Sequence, residues 1–171
     1  LEGPESELKL TQNTQPAIMT VGVSIFNVLK ENFKFNLDKA NFFAGHSLGE
    51  YSAIACAGYL DFQDTIKILK IRGNAMQNSV PKGEGGMVAV LGTTVEKIEN
   101  ILKDNQNDFL AEIANDNSEG QIVISGKNDD LEKFMSLLKN LKIKSIKLPV
   151  SAPFHCSLMN RAAQTMNVEL K

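Results

Sequence analysis

The sequence feature that most constrains this chain is a glycine-flanked serine between a short apolar run and a helix of small residues. Residues 45–49 read GHSLG, the run Phe42–Ala44 precedes them, and EYSAIACAGYL follows. The GxSxG pattern places a serine hydroxyl at a sharp strand-to-helix turn, where larger flanking side chains would collide. The helix N-terminus behind such a serine offers backbone N–H groups that stabilise an oxyanion. We therefore predict a strand over Phe42–Ala44 and a nucleophilic Ser47 for acyl transfer.

A serine nucleophile needs a general base, and the chain has 2 histidines. His46 is adjacent to Ser47, and neighbouring side chains diverge at such a turn, so it is a poor candidate. His155 follows a strand predicted to end at Val150, and we assign it as the base. No Asp or Glu stands out as the residue that orients His155, and a backbone carbonyl can also hold the imidazole tautomer. The third member of a catalytic triad stays open.

Arg72 is the third candidate, because it lies within the apolar spacing of a predicted helix, between Ile68 and Met76. A buried guanidinium is costly unless it is paired. Near the serine, its planar fork would bind a carboxylate on the acyl group through two hydrogen bonds. The sequence alone favours an exposed or structural arginine over this role.

Composition and cysteine usage exclude several other classes of protein. The 171 residues include 18 Lys+Arg and 20 Asp+Glu, giving a formal charge of −2, and 43% are hydrophobic. This balance is typical of a soluble globular chain and offers no basic excess for nucleic acid. No run approaches the length of a membrane span. Cys56 and Cys156 have no further ligand at metal-binding spacing, so we predict no metal site, no disulfide framework and a cytoplasmic location.

The apolar pattern divides the chain into an α/β part and a small α+β insert. Helices predicted from Pro16 and from an Asp61 N-cap flank the serine turn. After the linker PKGEGG, the elements follow the ferredoxin-like order β-α-β-β-α-β. The predicted strands are 87–91, 110–114, 121–125 and 145–150, with helices over 94–104 and 129–141 and a hairpin loop NDNSEG.

Six segments resemble, in order, the malonyl-CoA:acyl carrier protein transacylase family of fatty-acid synthesis. They are TQPAIMT, AGHSLGEYSAIACAG, IRGNAMQ, GGMVAVLG, NDNSEGQIVISG and LPVSAPFHCSLM. GHSLGEYSA is far more specific than GxSxG alone, and the segments cover nearly the whole chain. The resemblance implies a partial α/β-hydrolase-like body over residues 1–84, a ferredoxin-like subdomain over 85–150 and a return to the body over 151–171. It also implies an internal portion of such an enzyme, without the family's N-terminal GQGSQ segment and its C-terminal strands.

The resemblance also implies a role for each matching residue. Ser47 matches the acylated nucleophile, His155 the general base, and Arg72 the arginine that pairs with the malonyl carboxylate. Leu48 matches the residue whose backbone N–H contributes to the oxyanion hole. The matching substrate-site positions are Gln15, the loop residues Asn115 and Asn117, and Phe154, a bulky residue that limits room for an α-methyl group.

The implied activity is a ping-pong transfer of a malonyl group from malonyl-CoA to the phosphopantetheine thiol of acyl carrier protein. Coenzyme A enters as a thioester substrate, and no metal or redox cofactor is implied. The implied partners are malonyl-CoA and acyl carrier protein, and neither nucleic acid nor a membrane. The location is cytoplasmic, with an organelle of bacterial type, such as a plastid, as the alternative.

Two other functions stay open at the level of sequence. One is a serine esterase or thioesterase of the α/β-hydrolase type, which passes the acyl group to water. The other is an inactive module that only docks a carrier protein. Arg72 argues against an esterase for neutral acyl groups, because such a substrate needs no arginine. We also expect residues 1–171 alone to be nearly inactive, with the small subdomain as the better-folded part.

Overall fold

The computed structural model is an α/β structure that describes residues 3–150 and 152–171. Residues 1, 2 and 151, which belong to the predicted segments 1–84 and 151–171, lie outside the described residues. The chain forms two compact units, of which one ends at Asn74 and the other begins at Ala75. The elements are α1 (Glu5–Leu8), α2 (Thr11–Glu31), α3 (Leu48–Cys56), α4 (Phe62–Gln77), β1 (Gly85–Leu91), α5 (Val95–Asp104), β2 (Ala111–Ser118), β3 (Gln121–Lys127), α6 (Asn128–Asn140), β4 (Lys144–Lys147) and α7 (Asn160–Glu169).

Helix α2 begins at Thr11, five residues before the predicted start, so Pro16 lies inside it. The apolar spacing predicts this helix but does not identify its buried face. That face repeats every fourth residue, through Thr11, Gln15, Met19 and Val23. The apolar residues on which the prediction rests are 39–56% exposed: Ile18, Val21, Ile25, Val28 and Leu29. The buried face is thus half polar, and it carries a predicted site residue.

A small apolar cluster packs the helices of the first unit together. Its buried members are Met19, Val23 and Leu69, and side chains of α3 pack against them. Asp61 caps α4 as predicted, since its carboxylate accepts a hydrogen bond from the Asp64 N–H at 2.9 Å. The predicted strand Phe42–Ala44 is wrong for the described residues. No described strand supplies the hydrogen-bonding neighbour that a strand in this segment would require.

The second unit is built on a four-stranded antiparallel sheet in the order β2-β3-β1-β4. Its elements match the predicted element order, with bounds that differ by a few residues. Thr94 caps α5 by accepting a hydrogen bond from the Lys97 N–H at 3.3 Å. The largest difference is β2, which runs to Ser118 instead of ending at Ala114.

Alternation along the strands separates the two faces of this sheet. One face is apolar and packs on α5 and α6, forming a core of Val88, Val90, Ile98, Phe109, Ile122, Ile124, Leu131, Phe134 and Leu138. The Phe109 and Phe134 rings meet edge to face, with centroids 5.7 Å apart. Residues directly opposite in the register share a face, so Met87, Ser125 and Glu112 lie together on the other side.

Candidate active site

Ser47 lies at a sharp turn between segment 42–45, which has no regular secondary structure, and α3. Its backbone adopts φ 53° and ψ −112°, a conformation that is strained for any residue with a side chain. A Cβ atom at Gly45 would lie 1.9 Å from the carbonyl oxygen of Gly49, so the turn requires glycine at position 45. A Cβ atom at Gly49, by contrast, would have nothing within 4 Å. Of the two glycines in the motif, the first is therefore the one that the turn geometry requires.

Leu48 is the first residue of α3, directly after Ser47. The next two backbone N–H groups are used within the turn. Gly49 donates to the His46 carbonyl at 2.9 Å, and Glu50 donates to the Ser47 carbonyl at 3.2 Å. The first N–H groups of a helix have no acceptor within the helix, and the positive end of the helix dipole lies there. The Leu48 N–H thus belongs to a helix end that suits an oxyanion next to Ser47.

The structure brings three of the predicted site residues of the first unit together. The Arg72 guanidinium donates from Nη2 to the Ser47 hydroxyl at 3.2 Å and from Nη1 to the Gln15 amide oxygen at 2.5 Å. Gln15 is 3% exposed, and its amide nitrogen donates to the Thr11 hydroxyl at 2.9 Å. Thr11 was missed by the sequence reasoning; its only signal is the helical spacing of four from Gln15.

A close approach of two helices explains why Arg72 reaches Gln15. A Cβ atom at Gly73 would lie 2.4 Å from the Gln12 Cα, so α4 crosses the start of α2 with almost no space between their backbones. One turn earlier in α4, the Lys70 ammonium donates to the Asn13 amide oxygen at 2.7 Å. The glycine after Arg72 is therefore part of the site, because it sets the distance between the guanidinium and the α2 side chains.

Arg72 is half-buried among polar and aromatic side chains. Burial lowers the pKa of Arg72, while the nearby Tyr51 and Glu50 favour its charged form. The guanidinium carbon lies 5.5 Å from the centre of the Tyr51 ring, within the range of a cation–π interaction. No ion pair among the described residues joins Arg72 to a carboxylate. A half-buried cation with polar and aromatic neighbours suits an anionic group of a ligand.

His155 lies in the second unit, in a tight turn before α7. The side chain is exposed, and the backbone adopts φ 58°. Phe154 is half-buried and packs against a cluster of Met76, Met159 and Ala162. Its carbonyl accepts a hydrogen bond from the Ser125 hydroxyl at 2.5 Å. The predicted base is thus on a turn tied to strand β3, a tie that no local pattern in the sequence indicates.

Asn115 and Asn117 lie in strand β2, so the prediction that they belong to a hairpin loop is wrong. Register shifts occur between Ile113 and Asn115 and between Asp116 and Ser118, and such irregularities let poor strand formers remain in a strand. The reversal is confined to residues 119–120, where Gly120 has φ 76°. Asn115 is half-buried and Asn117 is exposed.

The thiols and the acidic side chains of the described residues are the other groups that could carry chemistry. Burial raises the pKa values of Cys56 and Cys156, which disfavours the nucleophilic thiolate of each. No cluster of three His, Cys, Asp or Glu side chains within residues 3–150 and 152–171 could hold a metal ion. No helix within the same residues has the length and hydropathy needed to cross a membrane.

Comparison with known proteins places the chain in a family. Residues 1–171 match the family described as acyl transferase domain, and the chain belongs to this family. Its curated relatives include the malonyl CoA-acyl carrier protein transacylase of Haemophilus influenzae, 44% identical over 171 residues, which are 99% of this chain and 54% of that protein.

Solved structures give the same match. The chain superposes on the acyl-carrier-protein-S-malonyltransferase of Bartonella henselae with a TM-score of 0.91 and 44% identity, covering 99% of this chain and 55% of that one. It also matches a malonyl-transacylase solved in complex with a type II PKS acyl-carrier protein, with a TM-score of 0.90 and 39% identity. That match covers 99% of this chain and 54% of the other. The chain spans about half the length of the curated relatives it matches.

Proposed function

We propose that the protein transfers a malonyl group from malonyl-CoA to the phosphopantetheine thiol of acyl carrier protein, through malonyl-Ser47. The observation that carries this proposal is the Arg72 guanidinium, which donates to the Ser47 hydroxyl and has no carboxylate partner among the described residues. In a malonyl thioester, one methylene group separates the carboxylate from the reactive carbonyl. A cation beside the nucleophile therefore selects this acyl group by charge and by distance. The names of the relatives support the same reaction.

In the first half-reaction, Ser47 attacks the thioester carbonyl while the His155 imidazole takes the hydroxyl proton. The oxygen of the tetrahedral intermediate accepts a hydrogen bond from the Leu48 N–H at the start of α3. The carbon–sulfur bond then breaks, and the coenzyme A thiolate leaves with the proton from His155. The malonyl ester of Ser47 is the product, with its carboxylate paired to Arg72.

The second half-reaction reverses these roles on a different thiol. The phosphopantetheine thiol of acyl carrier protein gives its proton to His155, and its sulfur attacks the ester carbonyl. The carbon–oxygen bond to Ser47 breaks, and the serine oxygen takes the proton back. The scheme requires no metal or redox cofactor, because each step only exchanges an acyl group and a proton.

The remaining proposed site residues act on substrate binding. Gln15 holds the guanidinium fork of Arg72, so it fixes the orientation in which the fork meets a carboxylate. Phe154 limits the room for an α-methyl group on the acyl chain. Asn115 and Asn117 are proposed as polar contacts for the substrate, and the half-buried position of Asn115 favours it over Asn117.

The fold assignment that we propose follows the same resemblance. The strand order β2-β3-β1-β4 supports a ferredoxin-like subdomain over residues 85–150. The serine turn before α3 supports an α/β-hydrolase-like body over residues 1–84, to which residues 151–171 return. A cytoplasmic location is consistent with the two free thiols.

Intact-mass measurement after incubation with malonyl-CoA tests the proposed function. Because residues 1–171 alone are expected to be nearly inactive, the measurement uses a protein that extends this chain at both ends. We expect one malonyl group on this extended wild type and none on its Ser47→Ala variant, because Ser47 alone among the described residues combines a strained turn with a helix N-terminus. Label that persists in Ser47→Ala and maps elsewhere would contradict the nucleophile assignment. The malonylated protein is then given either holo acyl carrier protein or buffer. Rapid discharge by buffer alone would identify an esterase, and absence of any label on the wild type would favour a docking role.

A further inference from the structure

We propose that Glu112 and Ser125 are positioning residues that hold the His155 turn from both sides in its catalytic conformation. This inference rests on the proposed function, in which His155 is the general base. Glu112 of β2 and Ser125 of β3 are direct partners in the antiparallel register, so their side chains project from the same face of the sheet. The opposite face is the one that packs on α5 and α6. The face with Glu112 and Ser125 therefore supports the histidine turn.

Ser125 fixes the chain immediately before His155. The serine is completely buried, and its hydroxyl donates a hydrogen bond to the Phe154 carbonyl at 2.5 Å. The contact is partly buried, so loss of the donor would leave the Phe154 carbonyl without compensation for its partial desolvation, and the contact therefore favours one position of the Phe154–His155 peptide.

Glu112 fixes the chain two residues after His155. Its two carboxylate oxygens each accept a hydrogen bond from the Ser157 N–H at 3.1 Å, and the Ser157 hydroxyl donates to the same carboxylate. Hydrogen bonds to an ionised carboxylate are stronger than neutral ones. Ser157 begins the short 3-10 helix Ser157–Met159 that leads into α7, so the carboxylate also anchors the start of that helix.

The conformation of His155 explains why two anchors are needed. Its φ of 58° lies in the left-handed region, which a residue with a side chain keeps only when its surroundings enforce it. Pro153 closes the turn against the sheet, since a Cβ atom at Gly85 would lie 2.5 Å from the proline ring. Without the anchors, the segment would relax toward extended backbone and carry the imidazole away from its working position.

The test compares malonylation kinetics of the wild type, Glu112→Ala, Glu112→Gln and Ser125→Ala, measured with malonyl-CoA on the same protein extended at both ends. Glu112→Ala should lower kcat for acylation by about 10- to 100-fold, because small displacements of a reacting group carry losses of this order. KM for malonyl-CoA should stay within about twofold of the wild type, since Arg72 and Gln15 belong to the other unit. Glu112→Gln retains one acceptor oxygen and should recover much of the loss. Ser125→Ala should lower kcat by about 3- to 10-fold, as expected for one neutral hydrogen bond.

Matched variants separate positioning from general destabilisation. Glu132→Ala removes an exposed carboxylate of α6 in the same unit and should leave kcat unchanged. Ser157→Ala removes the hydroxyl partner alone, and the Glu112→Ala/Ser157→Ala double variant should be no slower than Glu112→Ala, because both act through one contact. If Glu112→Ala does not fold by circular dichroism, Glu112→Gln and Ser157→Ala provide the same comparison.

The outcomes distinguish this inference from the proposed function. A folded Glu112→Ala protein that acylates at the wild-type rate, or one in which only KM changes, would overturn the positioning role alone. A wild type that takes no malonyl group, or a His155→Ala protein that acylates normally, would overturn the proposed function and this inference with it.

Discussion

The two units of this chain are stabilised in different ways. The second unit has a continuous apolar core between one face of its sheet and two helices, centred on Ile124 and Phe134. The first unit has a small cluster around Met19 and Leu69, and large apolar side chains such as Ile18 are exposed. Around Ser47 it relies on polar contacts and on close backbone approach. Substitutions in the second unit's core should therefore change stability, and those around Arg72 should change chemistry first.

His155→Ala is an expected exception, because His155 belongs to the second unit and yet its substitution should affect the chemistry most. We expect acylation by malonyl-CoA to slow by about 10³-fold or more, since a serine without a base is a weak nucleophile at neutral pH. Stopped-flow measurement of acylation tests the rate, with unfolding curves recorded in parallel. The matched control is His46→Ala, which should stay within about tenfold of the wild type. Equal losses in the two variants would remove His155 from its assigned role.

Leu138→Ala tests the core of the second unit. Leu138 is completely buried in α6, and its truncation should lower the free energy of unfolding by about 2–5 kcal/mol. Leu141, just beyond the end of the same helix, is 47% exposed, and Leu141→Ala should cost less than about 1 kcal/mol. Urea denaturation followed by circular dichroism measures both. Similar losses for the two leucines would show that burial within this unit does not determine its stability.

Arg72→Ala tests the first unit, because it should change specificity at little cost to the fold. Malonyl transfer should fall by roughly 30- to 1000-fold, or about 2–4 kcal/mol, as a charge-assisted pair with the carboxylate is lost. Acetyl transfer from acetyl-CoA, which has no carboxylate to pair, should be retained. Arg72→Lys keeps the charge but loses the planar fork, so it should recover only part of malonyl transfer. The same loss for malonyl and acetyl groups would make Arg72 a structural residue.

Gly73→Ala should have the smallest of these effects and tests the close approach of α4 to α2. The added methyl group would collide with the Gln12 backbone, and separating the helices should cost about 1–3 kcal/mol of stability. Gly22→Ala is the control within α2, since nothing lies within 4 Å of the new atom. That variant should gain about 0.5–1 kcal/mol from lower backbone entropy in the unfolded chain. Thermal unfolding of both variants measures these changes in stability. A Gly73→Ala protein that is more stable than the wild type would contradict the close packing of α4 on α2.

Local signals explain what could be predicted from the sequence. The Asp61 N-cap and the apolar runs of β1 and β3 act over a few residues, and each predicted its element. GxSxG predicted the serine turn for the same reason, because the collision at Gly45 arises within five residues. Such features need no knowledge of the tertiary structure.

Features that depend on contacts between secondary-structure elements could not be predicted. The buried face of α2 is set by α3 and α4, so the apolar stripe of Ile18 and Ile25 indicated the helix but not its orientation. The extension of β2 through Asn117 depends on pairing with β3, which overrides the weak strand preference of Asn and Asp. The tie between Ser125 and Phe154 joins residues 29 positions apart and left no trace in either local pattern.

The positive φ of Ser47 also restricts which amino acids this position can accept over evolutionary time. Branching at Cβ makes the left-handed region much less accessible, so threonine is excluded on steric grounds although its hydroxyl has the same chemistry. Cysteine, which is unbranched, meets the backbone requirement as well as serine does. The backbone conformation at position 47 therefore restricts which nucleophilic residues can replace serine in related sequences, independently of their reactivity.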